Sequence, residues 1–315
     1  MSDSPLALGI DFGGTSVKLG ICQGPEVLEK AEPIPTANYS TVDLLIEALS
    51  ERITSLRKDH PRLEAVGIGV PGFVDSEKGY VHNLTNVPGW HNVPLKHLLE
   101  NRTQLPVQVE NDANAMAYAE FRHGAAQGMK NVVCLTLGTG VGGGLIVNGE
   151  LFRGSTFGAG EIGQMSIDFD GKPGNYGNLG ALEKYMGNQQ IEEHARAQYA
   201  RVGEVADEAQ CTPRHIAEAA EEGDDIARQI WGDVGLWLGS ALTSISWIFN
   251  PDAFVIGGGV AQAGSLLFDP LENHMRSMLN PVFWEHMKIL RAQFGNEAGM
   301  IGCATLALEQ QQASA

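Results

Sequence analysis

Basic clusters, paired cysteines and long apolar runs are what this chain does without. It carries 38 Asp and Glu against 21 Lys and Arg, a formal net charge of -17, and no cluster of Lys or Arg occurs anywhere in it. A nucleic acid gripped through its phosphates is therefore excluded as a partner, and a polyanionic nucleotide would need local donors and a divalent cation. The four cysteines, Cys22, Cys134, Cys211 and Cys303, are widely separated, show no paired metal-ligand spacing and read as reduced, buried thiols. The longest apolar stretches fall well short of a membrane span, and no charged-then-apolar leader opens the chain. The expected compartment is the cytoplasm, with no membrane partner. At 315 residues and 43% hydrophobic composition, the chain can bury two domain cores of ordinary size.

What the chain does have is a pair of glycine-and-hydroxyl turns, Asp11-Phe12-Gly13-Gly14-Thr15 and Leu137-Gly138-Thr139-Gly140-Val141-Gly142-Gly143, each set between apolar runs. Glycines let the backbone turn tightly and bring its N–H groups close to phosphate oxygens, and the threonine hydroxyl adds a donor. Between the two turns lies Glu110-Asn111-Asp112-Ala113-Asn114, a strand-like segment ending in a carboxylate. The order reads as phosphate loop, base, phosphate loop.

Strand and helix signals alternate, which makes the class α/β. Leu6–Ile10 reads as a buried strand and Val17–Ile21 as its hairpin partner, the first glycine turn joining them. Val42, Leu45, Ile46, Leu49, Ile53 and Leu56 recur at helical spacing behind a Ser40 or Thr41 cap. Ala65–Val70 and Val107–Val109 are further strands, and Ala113–Phe121 reads as a helix. The second half repeats the pattern: a strand at Val132–Leu137, then a hairpin of Leu145–Val147 and Leu151-Phe152 around Asn148-Gly149. Beyond Gly180 the chain turns mainly helical, interrupted by Ala253–Ile256 ahead of Gly257-Gly258-Gly259 and by Ile289-Leu290, with a closing helix near Met300–Gln310. The repeat predicts two related domains facing each other. The small N-terminal one takes 1–113 and is joined by the last helix, about 300–315; the larger takes 114–299.

Two better-known readings of the turns fail. Asp11-Phe12-Gly13 spells the magnesium triplet of protein kinases, but neither a His-Arg-Asp loop nor a glycine-rich lid precedes it. Gly138-x-Gly140-x-x-Gly143 matches a dinucleotide fingerprint in letters, yet a strand and hairpin follow it rather than a helix. Glycines serving only tight packing would account for either turn alone. They do not account for both turns with an acid between them.

Asp11-x-Gly13-Gly14-Thr15-x-x-Lys18, Glu110-Asn111-Asp112-Ala113-Asn114, Leu137-Gly138-Thr139-Gly140-Val141-Gly142 and Gly158-Ala159-Gly160-Glu161-Ile162-Gly163, in that order, resemble the successive signatures of the ROK family of bacterial sugar kinases. The resemblance covers nearly the whole chain. It implies the actin-like, hexokinase-like ATPase fold, in which two ribonuclease-H-like domains flank a central cleft and close over sugar and ATP. It implies a glucokinase-type enzyme of the cytoplasm whose cofactors are ATP and Mg2+. Its partners are then a small sugar and a nucleotide, and the family's common dimers leave a homodimer open.

Asp112 is the candidate catalytic residue. In-line phosphoryl transfer to a hydroxyl needs a carboxylate that orients the oxygen and accepts its proton, a contribution of about 10²–10⁴-fold. The plainer role for Asp112 is capping the helix that follows, and both can hold. The resemblance implies that Asp11 orients Mg2+ through water and that Gly13, Gly14 and Thr15 hold the terminal phosphates. Gly138, Thr139 and Gly140 would grip the nucleotide from the other domain, with Gly258 and Gly259 near the adenosine. On the sugar side it implies Gly72, Asn86, Asn111, Asp112, Glu161, Gln164 and Glu183, whose carboxylates and amides can pair with vicinal hydroxyls. Asn86 and Trp90 also fit a simple packed turn. Lys18 is set down as covering its strand.

The chain departs from the family where most members follow Glu-x-Gly-His with Cys-x-Cys-Gly-x-x-Gly-Cys-x-Glu and bind zinc. Aligned on Gly177, Gly180 and Glu183, the four ligand positions hold Gln164, Gly174, Tyr176 and Ala181. Structural zinc needs thiolate or imidazole ligands, so none is expected, and Tyr176 with the retained glycine turns is the candidate for packing in its place. Because the missing histidine also touches sugar in zinc-containing relatives, Gln164 bears on hydroxyl selectivity. Glucose is the leading substrate, followed by mannose, fructose, allose or an N-acetylhexosamine, with ATP or inorganic polyphosphate as donor. A sugar-responsive repressor would need a helix-turn-helix, for which the five residues before the first strand leave no room. A silent sugar-binding protein would not need Asp112 and both phosphate turns.

Overall fold

Apolar runs bounded by glycine turns become the strands of two sheets. The computed structural model describes residues 5–84, 89–205 and 207–314. β1 (Leu6–Phe12) turns at Gly13–Gly14 into antiparallel β2 (Ser16–Gln23), and β3 (Glu26–Pro35) pairs with the far side of β2. After helix α1 (Val42–Asp59), β4 (Leu63–Val70) returns parallel to β1. A small antiparallel sheet follows, of β5 (Val74–Asp75), β6 (Tyr80–Asn83) and β7 (His91–Val93). Then α2 (Leu95–Thr103) leads to β8 (Val107–Asn111), parallel to β4, and α3 (Asp112–His123) continues directly from β8.

The second half repeats this plan. β9 (Val132–Leu137), β10 (Val141–Val147) and β11 (Glu150–Phe152) form the antiparallel meander. After α4 (Glu183–Met186), α5 (Asn188–Arg201), α6 (Pro213–Glu222) and α7 (Asp225–Phe249) comes β12 (Ala253–Gly257), parallel to β9. α8 (Ser265–Met278), β13 (Lys288–Arg291) and α9 (Ala298–Ser314) end the described chain. The two five-stranded sheets run β3-β2-β1-β4-β8 and β11-β10-β9-β12-β13, so the faint repeat in letters is a full repeat in topology. No helix among the described residues is long and apolar enough to cross a membrane.

Local chemistry explains the elements that position the cleft. The Thr41 hydroxyl caps α1 by accepting from the Leu44 N–H at 3.3 Å, and Leu45, Ile46, Leu49, Ile53 and Leu56 are buried under it, each such side chain contributing about 1.5–3 kcal/mol. Three features escaped the hydrophobic pattern: β3, β5–β7 and α2. β3 is an edge strand with only Ile34 fully buried along its length, so its charges obscure any alternation.

α9 crosses from the second half to lie against β1, β4 and α3. It can do so because glycines face it. A Cβ on Gly67 would sit 1.9 Å from the Cys303 carbonyl oxygen, and one on Gly302 would sit 1.8 Å from that of Ala115. Gly67→Ala must push α9 off the sheet and is expected to cost about 3 kcal/mol or more in urea unfolding. Gly232→Ala, in α7 with no neighbour within 4 Å of the added carbon, is expected to be neutral or to gain up to about 1 kcal/mol from helix propensity. Equal effects of the two would mean that the close approach of α9 carries no such constraint.

Candidate active site

The two glycine turns converge on one cavity of about 850 Å3 between the sheets. Its lining includes Gly13, Gly14, Thr15, Gly72, Asn111 and Asp112 from the first half, and Gly138, Thr139, Gly140, Glu161, Gln164 and Glu183 from the second. A second cavity of about 520 Å3 lies beside Asp11, Gly258 and Gly259 and shares Asp112, Ala113 and Thr136 with the first. Asp112 thus sits where the two spaces meet. Of the expected site residues, Asn86 lies outside the described residues. Trp90 is buried, its ring edge-on to Phe12 at 5.1 Å, and is absent from the cavity lining.

The cap of α3 belongs to Asn111. Its Oδ1 accepts from the Asn114 N–H at 3.0 Å, while its Nδ2 donates to the Gly72 carbonyl at 3.1 Å. Asp112 is accordingly released from capping, the plainer role open to it, and stands as the first residue of the helix. Its Oδ1 accepts from the Ala113 N–H at 2.9 Å. Burial raises its pKa to about 6, and the Asp11 and Glu161 carboxylates push in the same direction against the backbone N–H bonds. Such a group is charged at neutral pH yet basic enough to take a proton.

Asp11 also has a raised pKa, from burial, with Lys18 opposing. The β1–β2 register sets Lys18 opposite Asp11, and its Nζ comes within 3.7 Å of the carboxylate. Lys18 therefore belongs to the second cavity and does more than cover its strand. Thr36, which no sequence signal marked, ties down the first glycine turn: its N–H donates to the Thr15 carbonyl and its hydroxyl to that of Gly14, each at 3.0 Å. The Asn188 N–H does the same for the Gly138 carbonyl at 2.8 Å. With these carbonyls engaged, the N–H groups of Gly14, Thr15, Thr139 and Gly140 have no acceptor among the described residues. They form a donor set suited to phosphate oxygens.

Glu183 braces the second turn. Its Oε2 accepts from the Val141 N–H at 3.3 Å and its Oε1 from the Asn175 amide at 2.8 Å; a Cβ on Gly140 would lie 2.4 Å from that Oε2. Glu161 is exposed, and its pKa is raised by partial burial and by Glu183. Gln164 closes a 3-10 turn over Ile162–Gln164, and its backbone carbonyl accepts from the Asn178 amide at 2.8 Å.

The segment between Gln164 and Glu183 corrects one expectation. Tyr176 is 68% exposed and packs nothing in place of metal. Tyr185 does that work: its hydroxyl accepts from the Lys172 N–H at 3.2 Å and donates to Asp168 at 3.3 Å, while its ring meets Trp237 edge-on at 5.4 Å. The chain runs back along itself, with bridges pairing Ser166 with Ala181 and Pro173 with Leu179. Tyr176 sits in the turn at the tip of that hairpin, and Tyr185 just beyond its root. Among the described residues, no group of three or more His, Cys, Asp or Glu is placed to hold a metal ion.

A sequence profile of the ROK family matches residues 7–310. The chain belongs to the ROK family. Over 318 aligned residues it is 34% identical to a glucokinase of Halalkalibacterium halodurans, covering 96% of this chain and 95% of that one. It is similar to the crystal structure of a ROK glucokinase from Streptomyces griseus in complex with glucose and AMPPNP, with 34% identity, a TM-score of 0.81, and coverage of 96% and 99%. It is also similar to the structure of a ROK transcriptional regulator, a homologue of the Escherichia coli Mlc protein, at 29% identity and a TM-score of 0.86, spanning 77% of that longer chain. The fold is the actin/hexokinase-like ATPase fold of these ROK structures, as the glycine signatures predict.

The donor chemistry fits the groups this family implies. Asp11 and Asp112 offer hard carboxylate oxygens, too few for a closed protein cage but suited to Mg2+, which keeps several waters. At the second cavity Gly258 has φ +87°, and a Cβ there would strike the Leu137 carbonyl at 2.2 Å. Only glycine therefore lets this turn lie directly against the end of β9. Since the folded protein penalises charged Asp112, the penalty is complete above about pH 6 and gone below the ordinary carboxylate range. Asp112→Asn is therefore expected to raise unfolding free energy by about 1–2 kcal/mol at pH 8, with the gain vanishing towards pH 4 in parallel urea titrations.

Proposed function

We propose that the protein transfers the terminal phosphoryl group of ATP to a hexose, converting glucose to glucose 6-phosphate, in the cytoplasm. The observation that carries this reading is Asp112: a carboxylate of raised pKa at the junction of two cavities, each edged by a glycine turn. In this reading the sugar lies in the larger cavity, between Asn111 and Asp112 on one side and Glu161, Gln164 and Glu183 on the other. Asp112 accepts the proton of the attacking hydroxyl and turns its oxygen towards the donor. The N–H groups of the two turns hold the phosphates, Gly258 and Gly259 leave room for the adenosine, and Asp11 holds the cation through water. The cation, Mg2+, would neutralise phosphate charge as the bond breaks. We further propose that residues 1–113 with the last helix, and residues 114–299, act as the two closing domains.

ATP is preferred to inorganic polyphosphate because the second cavity is walled mainly by glycines, amides and small apolar side chains, with Lys18 as its one cation among the described lining residues. A bare polyanion would meet Asp11 and Asp112 with little positive charge to offset them. Mannose, fructose, allose or an N-acetylhexosamine are the alternative acceptors. The similarity to a transcriptional regulator favours sugar sensing as the second reading.

A panel of hexoses with ATP and Mg2+, read by ADP release, tests the proposal. Turnover on glucose is expected, and none on any hexose would leave the sensing reading. Asp112→Asn is expected to lower kcat by about 10²–10⁴-fold while sugar still binds; near-normal kcat would remove Asp112 from its role. In the free enzyme the base must be ionised, so kcat/KM should fall about tenfold per pH unit below about 6. Chelation should stop turnover, Mg2+ should restore it, and the melting temperature should not change. Stoichiometric zinc in the purified protein would refute the metal-free reading of the 165–182 segment.

A further inference from the structure

Two buried carboxylates flank α3, and the catalytic reading uses neither. Glu110, 2% exposed, lies two residues before Asp112. Its Oε1 accepts from the Asn111 N–H and the Asn114 amide, each at 3.0 Å, and its Oε2 accepts from Arg153 Nε at 2.7 Å. Arg153 opens the segment that leads to Glu161 and Gln164, and its carbonyl closes that segment by accepting from the Ala159 N–H at 3.1 Å. Near the other end of the helix, Glu120 is fully buried. Its Oε1 accepts from the N–H groups of Gln293 and Phe294 at 2.7 and 2.9 Å, and its Oε2 from that of Ala125 at 3.0 Å. The residues directly after Phe294 line the second cavity.

From this geometry we infer that α3 is a beam which sets both substrate loops relative to Asp112, with Glu110–Arg153 positioning the sugar side and Glu120 the nucleotide side. A buried carboxylate is costly unless its oxygens are satisfied. Here the satisfying donors come from the segments that carry or adjoin the cavity walls. Charge-assisted hydrogen bonds are short and directional, so each loop is held in register with the helix that carries the base. None of the three side chains lines either cavity, and all three are positioning residues.

The inference rests on the kinase reading, and kinetics with hexose and ATP varied separately tests it. Arg153→Lys keeps the charge beside Glu110 but loses the planar Nε contact. It should raise the hexose KM about tenfold and move the ATP KM by less than about twofold. Glu120→Gln turns the charge-assisted bonds from the Gln293 and Phe294 N–H groups into weaker neutral ones and leaves the Ala125 N–H facing an amide donor, and should give the opposite split. A general loss of packing would move both constants together, or kcat alone, and either pattern overturns the inference. If Arg153→Lys or Glu120→Gln does not fold, the double change Glu110→Gln with Arg153→Met, which leaves no buried charge, and Glu120→Asp carry the same expectation. Calorimetric titration with glucose and with AMPPNP reads the split without turnover. A wild-type protein that binds both but phosphorylates no hexose therefore refutes the kinase reading while the split in affinity still decides the positioning. A protein that binds neither refutes both.

Discussion

The cleft depends on how closely α3 can lie against β10. A Cβ on Gly144 would come 2.6 Å from the Ala117 methyl, and one on Gly142 would come 3.0 Å from that of Ala113. On another face of α3, Gly302 of α9 meets the Ala115 carbonyl at similarly short range. A helix of small residues is thus packed against a sheet of the second half and the last helix of the chain, with no slack for sliding. Its N-terminus is the direct continuation of β8 in the other sheet. The residue at that N-terminus is consequently fixed relative to both glycine turns by backbone contacts, before any side chain of the site is considered.

Electrostatics then follows from what this placement puts together. Asp11, Asp112, Glu161 and Glu183 edge the joined cavities of a chain that is already strongly acidic, with Lys18 and Lys184 as the cations lining them among the described residues. Burial raises the pKa of Asp11, Asp112 and Glu161, and mutual repulsion adds to it for the last two. Such a site gains little by attracting an anion unaided. In the proposed function a phosphate would have to arrive with a divalent cation, and the neutral hydroxyls of a polyol would suit an excess of acceptors best. The positive end of the α3 dipole favours ionised Asp112, which partly offsets its burial.

Much of this was legible in the letters because glycine turns between apolar runs leave the chain few alternatives. The β1–β2 and β10–β11 hairpins, the α1 cap and the acid at the start of α3 are local signals. What the letters hid depends on register or on distant segments. Lys18 meets Asp11 only because antiparallel pairing sets residues 11 and 18 opposite one another, and Thr36 reaches the first turn from the end of an edge strand whose charges conceal it. Asn111 and Asp112 are both good caps by type. Only the backbone path from β8 into α3 assigns the cap to Asn111 and leaves the carboxylate to the cavity.

The 165–182 segment shows the same division between letter and geometry. The family resemblance sets Tyr176 at one of the motif's ligand positions, which makes it the expected packing residue. A zinc ion, however, ties a loop at one point from within, whereas an aromatic side chain must find a surface to lie on. The tip of the 166–181 hairpin lies at the cavity with Tyr176 largely exposed, whereas Tyr185 beyond its root packs on α7. Only a residue near the root, Tyr185, can reach Trp237, which in turn meets His194 edge-on at 4.7 Å while His194 is held by Asp233 at 2.8 Å. The segment is therefore anchored where a packing surface exists, and the tip residues Asn175 and Tyr176 line the cavity. Anchoring by packing at the root thus bears on which side chains face the cavity as well as on what holds the loop.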